Sequence, residues 1–149
     1  MQLSAIERKI LNYIQQGIPL EPRPFKTLAE KVSIGEEGLI DKIKDLKDRG
    51  IIRGISAGIN HINLGFKSTL VAFKTTPDNL ETVVREVVVY PEVTHCFLRD
   101  GEYNLWAVFI YRNNRLRQFL TKMSSRLGEK NIISLPTQRQ FKLKTNIKL

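Results

Sequence analysis

Pro91-Glu92-Val93-Thr94-His95-Cys96-Phe97-Leu98-Arg99-Asp100-Gly101-Glu102-Tyr103-Asn104-Leu105-Trp106 is the stretch on which the fold turns. Val93–Arg99 reads as a strand, Asp100-Gly101 as a tight turn, and Tyr103–Tyr111 as the returning strand of a hairpin. One hairpin thus carries an imidazole, a guanidinium, a phenol, an amide and the chain's single indole. That is more polar chemistry than strand packing requires.

Outward from this hairpin the pattern is regular. A helix is predicted before it, over Pro77–Val89, with Pro77 near its first turn. A second follows it, over Asn114–Leu127, ended by Gly128. Phe66–Thr75, rich in β-branched residues, reads as the opening strand. The last strand begins at Ile132–Leu135, is interrupted by Pro136, and resumes through Phe141 to Leu143. The order β-α-β-β-α-β is ferredoxin-like, with both helices on one sheet face. The other face is left for a partner sheet or a ligand, and Val71, Phe73, Val108 and Ile110 are expected on it.

The first 59 residues follow a different period. Ser4 and Glu7 form a capping box ahead of Ile6, Ile10, Leu11 and Ile14 at helical spacing, with Gly17 as the stop. Ile18-Pro19-Leu20-Glu21-Pro22-Arg23-Pro24-Phe25 must be extended and stiff. A short helix over Lys26–Val32, a Ser33-Ile34-Gly35 turn and a helix over residues 36–48 follow, closed by Gly50. Ile51–Ile55 reads as the strand of a wing. The fold class is therefore α+β: a winged helix-turn-helix over 1–59, then a ferredoxin-like domain over 60–149.

Composition narrows the function. With 149 residues the chain can bury roughly 68–70% of its unfolded surface. No apolar run reaches the length of about 18 residues that a membrane helix needs, and no basic segment leads into an apolar stretch at the start. The single Cys96 can form neither an internal disulfide nor a cysteine metal cluster. A reduced, cytoplasmic setting without a membrane partner is expected. The formal charge is +9. Residues 1–59 hold ten Lys/Arg against eight Asp/Glu, and residues 60–149 hold fourteen against seven. The excess lies in the second half and suits an anionic ligand there.

DNA is not an expected partner. Residues 36–49, where a recognition helix would lie, carry five acids and four bases, and begin Glu36-Glu37. Affinity for DNA rests on phosphate contacts, and the leading end of such a helix meets the bases.

The blocks Ile18–Phe25, Gly50-Ile51-Ile52-Arg53, Leu64–Ala72, Val93-Thr94-His95, Tyr103-Asn104-Leu105-Trp106 and Leu135–Lys142 resemble the siroheme decarboxylases, AsnC/Lrp-like proteins of the alternative haem and d1-haem pathways. The resemblance covers nearly the whole chain. It implies an AsnC/Lrp-like fold and the loss of carbon dioxide from two acetate side chains of siroheme, giving 12,18-didecarboxysiroheme. It also implies a paired subunit, a paralogue or a second copy. Two departures stand out. Many members have Asn where this chain has Cys96, and many carry a second His where it has Asp100-Gly101-Glu102. Either a partner supplies that second histidine or this chain is the less active of a pair.

The chemistry suits the residues. Siroheme carries eight carboxylates, matching the basic half. Loss of carbon dioxide leaves carbanion-like charge that the macrocycle spreads and a proton donor then quenches. No added cofactor is needed, and the iron belongs to the substrate. His95 is the expected proton donor, carboxylate anchor or axial ligand of the substrate iron. No other metal site is expected. Arg139 is the second candidate catalytic residue. Arg99, Tyr103, Asn104, Trp106 and Arg23 are candidate substrate contacts. Each has a plainer reading: a strand-end charge for Arg99, core packing for Trp106, a linker charge for Arg23. His61 reads as a surface residue and Cys96, opposite His95, as a small buried one. Two other function classes compete: a DNA-binding AsnC/Lrp-type regulator with an effector in the second half, and a haem-binding scaffold subunit without turnover.

Overall fold

A computed structural model describes residues 2–143, 146, 147 and 149. The chain forms two compact units, Met1–Gly58 with Lys142–Leu149, and Ile59–Phe141.

In the first unit, α1 (Ala5–Ile14), α2 (Pro24–Val32) and α3 (Glu36–Asp48) pack around Ile10, Leu28, Ala29, Val32, Leu39, Ile43 and Leu46. The capping box forms as the sequence requires. The Glu7 N–H donates to Ser4 Oγ at 3.2 Å, and the Ser4 N–H donates to Glu7 Oε2 at 2.5 Å. Helix α2 begins at Pro24, two residues before Lys26, because a proline's fixed φ and missing N–H suit the first helical position. Ser33 takes a left-handed φ of 61° to turn the chain toward α3.

The expected wing strand over Ile51–Ile55 does not form. Ile52 is buried against the helices, but residues 53–60 are exposed and lack a partner ladder for their backbone groups. The division at residue 59 also placed 142–149 with the sheet. In the structure the described residues among them, Lys142, Leu143, Asn146, Ile147 and Leu149, group with the helices, where Gln15 exchanges two hydrogen bonds with the Ile147 backbone.

The second unit is one antiparallel sheet with strand order β2-β3-β1-β4. Its strands are β1 (Lys67–Phe73), β2 (Val93–Leu98), β3 (Leu105–Tyr111) and β4 (Ile132–Pro136). Helices α4 (Leu80–Val88) and α5 (Arg115–Leu127) cover one face. Helix α4 starts at Leu80 rather than Pro77, because Asn79 Oδ1 accepts from the Thr76 N–H and holds a turn there. The covered face buries Val71, Phe73, Val83, Val87, Leu105, Ala107, Phe109, Phe119 and Met123. Phe119 is the centre of an aromatic cluster, 4.7 Å from Phe109 and 4.8 Å from Tyr90 between ring centroids. Two ion pairs, Glu86–Arg126 and Glu92–Arg115, fasten α5 to its neighbours.

Val71 and Phe73 therefore lie in the core and not on the free face, where only Val108 and Ile110 of the expected four remain. Alternation on β1 decides this: its core-facing set is Thr69, Val71 and Phe73, leaving Leu70 and Ala72 to the other side. The final strand ends at Pro136 and is not resumed over 141–143. Pro136 pairs with Thr69 as the last rung, and residues 137–143 are exposed.

Candidate active site

The helix-free face of the sheet is assembled from residues paired in register. His95 lies beside Val108, Phe97 beside Trp106, Trp106 beside Ala72, Ala72 beside Ile133 and Leu70 beside Leu135. It is mostly apolar. His95 is its titratable group near the β2 edge, and both it and Phe97 are exposed.

A β-bulge puts His95 there. Val93 pairs with Phe109 and His95 with the next residue, Val108, so Thr94 is an extra residue. Thr94 Oγ1 lies 3.1 Å from His95 Nδ1 and donates to the Val108 carbonyl at 3.4 Å. From His95 a row runs along β2. The Phe97 ring centroid is 6.0 Å from the imidazole, and the Arg99 guanidinium stands 5.6 Å over the Phe97 ring. Cys96 points to the opposite side, packs against the core and is half-buried; burial pushes its thiol pKa up. Phe97 and Thr94 are not among the residues that the sequence singles out. The first was available from the alternation His95-Phe97-Arg99, the second only from the bulge.

Trp106 lies on this open face, half-buried, its indole N–H donating 2.7 Å to the Tyr103 carbonyl. Tyr103 and Asn104 sit just outside the strand, and both side chains are engaged by the protein. The Tyr103 hydroxyl donates to the Lys130 carbonyl at 3.0 Å. The Asn104 carboxamide makes three hydrogen bonds to Thr75. Glu102, in the turn where the resemblance leads one to look for a second histidine, pairs with Lys74 at 2.9 Å and raises the lysine's pKa.

The structure does not bring every candidate together. His95, Arg99 and Trp106 share one region. Arg139 follows β4, the opposite edge strand, roughly 14 Å from β2 by strand spacing, and its guanidinium lies 4.9 Å over the Phe141 ring. Arg23 belongs to the first unit, where it is ion-paired with Glu36 at the start of α3. His61 lies in the turn that opens the second unit and is partly buried, so it is not a plain surface residue. No helix among the described residues is long and apolar enough to cross a membrane.

Such a face can do three things chemically. Its aromatic and aliphatic surface can receive a flat ring system, Arg99 can grip a carboxylate at the rim, and His95 can transfer a proton to an atom lying on the face.

Two family models match the chain. One, for the siroheme decarboxylase NirDL-like HTH domain, covers residues 7–53; the other, for the AsnC-like ligand binding domain, covers residues 63–142. The siroheme decarboxylase alpha subunit of Desulfovibrio desulfuricans is 33% identical over 147 residues, covering 99% of this chain and 85% of the relative. The siroheme decarboxylase beta subunit of Methanosarcina barkeri is 33% identical over 147 residues, covering 95% and 96%. The crystal structure of the siroheme decarboxylase NirDL in co-complex with an iron-uroporphyrin III analogue superposes with a TM-score of 0.69 at 33% identity. That match covers 95% of this chain and 47% of the solved one.

Proposed function

The chain belongs to the siroheme decarboxylase family, and on that premise we propose that it is a subunit that removes the acetate carboxyls at C12 and C18 of siroheme, giving 12,18-didecarboxysiroheme. The observation that carries this reading is the exposed His95 on an otherwise apolar, aromatic sheet face, with Arg99 at its rim. A tetrapyrrole is a flat apolar ring with a carboxylate fringe, and the face offers matching chemistry at both places.

In the proposed reaction the bond between the acetate methylene and its carboxylate breaks, and carbon dioxide leaves. The electron pair stays on the methylene carbon and spreads into the macrocycle. A proton from His95 then completes a methyl group, and solvent returns a proton to the imidazole. The substrate supplies the electron sink, so the reading calls for no added cofactor. Arg99 anchors a neighbouring carboxylate and Trp106 packs on the ring. Arg139 follows the opposite edge strand and Arg23 belongs to the first unit, so neither is part of the row around His95. Either the paralogous subunit or a second copy covers the open face, and siroheme is bound in that assembly.

DNA recognition is disfavoured. Helix α3 starts with Glu36 and Glu37, and the guanidinium of Arg23 is already spent on Glu36. Anaerobic incubation with siroheme, with and without the paralogous subunit, tests the proposal. Release of carbon dioxide with the mass change of two lost carboxyls is expected. A Soret shift without turnover in either mixture would favour a haem-binding scaffold, and sequence-dependent retardation of promoter DNA would favour a regulator.

A further inference from the structure

We infer that Asn104 is a positioning residue that sets Arg99 and Trp106 for siroheme without touching it; this rests on the open face being the siroheme site. The Asn104 side chain is used up. Its Oδ1 accepts from the Thr75 N–H at 2.9 Å and from the Thr75 hydroxyl at 2.8 Å, and its Nδ2 donates to the Thr75 carbonyl at 3.0 Å. A carboxamide that both accepts from a residue's N–H and donates to its C=O reproduces one rung of an antiparallel ladder. The β1–β3 ladder ends at the Phe73–Leu105 pair. The Asn104 side chain extends it to Thr75, which is 8% exposed.

The backbone of the same residue ties in two more elements. Its N–H donates to the Phe73 carbonyl at 3.0 Å, and its carbonyl accepts from the Arg99 N–H at 2.7 Å. Arg99 thus hangs from Asn104 on one side of the hairpin. Trp106 lies two residues beyond it on the other, with its indole N–H bonded to the carbonyl of Tyr103, the residue before Asn104. Trp106 is already held to β1 by the ladder, and Asn104 adds backbone and side-chain ties beyond the ladder's end, where the hairpin carries Arg99 and the carbonyl that holds the indole. No other residue type replaces Asn104. Aspartate lacks the donor for the Thr75 carbonyl and sets a charge against it, and glutamine is one methylene too long.

The test uses the full chain with its paralogous subunit and siroheme as the probe. Asn104→Asp should raise the KM for siroheme roughly 5- to 30-fold while kcat changes little, the effect of one or two lost hydrogen bonds passed on to a binding group. In an Arg99→Ala background the same substitution should add almost nothing to KM, because a residue acting through Arg99 is not additive with it. Emission from Trp106, the chain's single tryptophan, should shift in the siroheme-free Asn104→Asp protein. Thr75→Val, which loses only the hydroxyl bond, should move KM and emission the same way by less, and serves if Asn104→Asp does not fold. Additive KM effects, or unchanged emission in a folded variant, would overturn the inference. Absence of turnover by the unaltered enzyme would instead remove the siroheme reading, with the emission result still deciding whether Asn104 orients the face.

Discussion

Val93 and His95 lie two residues apart on one strand and point to opposite faces of the sheet: Val93 packs into the core and His95 is exposed. Plain alternation would put both on one side. Thr94, the extra residue of the bulge, separates them, and its hydroxyl then lies 3.1 Å from His95 Nδ1.

Thr94→Val keeps the shape of the bulged residue and removes that hydroxyl. It should lower the siroheme decarboxylation rate about fivefold, the value of one ordinary hydrogen bond, with KM nearly unchanged. Steady-state kinetics in the presence of the paralogous subunit checks this. A rate equal to that of the unaltered enzyme would show that the hydroxyl does not orient the imidazole.

The open face should be the surface that meets the second subunit. Leu70, Trp106, Val108 and Leu135 form an apolar strip across β1, β3 and β4 there. Such a strip is unusual on a lone soluble chain. Val108→Asp should leave the fold intact, since Val108 is not in the core cluster, and dissociate the assembly in light scattering. An unchanged assembly mass would place the interface elsewhere.

The helical unit should lose stability in acid through Glu7. The Ser4 N–H, then the Ser4 hydroxyl and the Arg49 guanidinium, hold its carboxyl at about 2, below the ordinary 4.5. A carboxyl depressed in the folded state stabilises fully above its unfolded value, and this contribution fades as pH falls from about 4.5 toward about 2. Denaturant midpoints across that window should fall less steeply for Glu7→Gln than for the unaltered chain. Parallel slopes would contradict the assignment.

Much of this was legible in the chain. The βαββαβ order and the three N-terminal helices follow from period, caps and glycine stops, which act over a few residues. His95, Arg99 and Trp106 could be placed on one hairpin because turn and strands lie within a dozen residues of one another. What failed depended on partners far along the chain. Ile51–Ile55 has strand composition but no ladder to join. Val71 and Phe73 face the helices and not the open side, because which side the helices cover is a packing outcome that alternation alone does not fix. The role of Asn104 was invisible, since Thr75 lies 29 positions away.

No sequence-specific DNA binding is expected. Glu36 and Glu37 open α3, and Lys44 on its surface lies 3.4 Å from Asp41. Titration of promoter fragments at physiological salt should give only weak, salt-sensitive association. A nanomolar, sequence-dependent shift would overturn this.

If His95 delivers the proton that completes decarboxylation, removing its imidazole must slow carbon dioxide release. The most direct measurement is the rate of carbon dioxide release from siroheme by His95→Ala, assembled with the unaltered paralogous subunit, with the Soret band of the bound substrate recorded on the same sample. A loss on the order of 10²–10⁴ in rate is expected, with siroheme still bound, since Arg99 and the apolar face remain. Full activity with an unchanged Soret band would contradict it and leave His95 a polar residue on a strand.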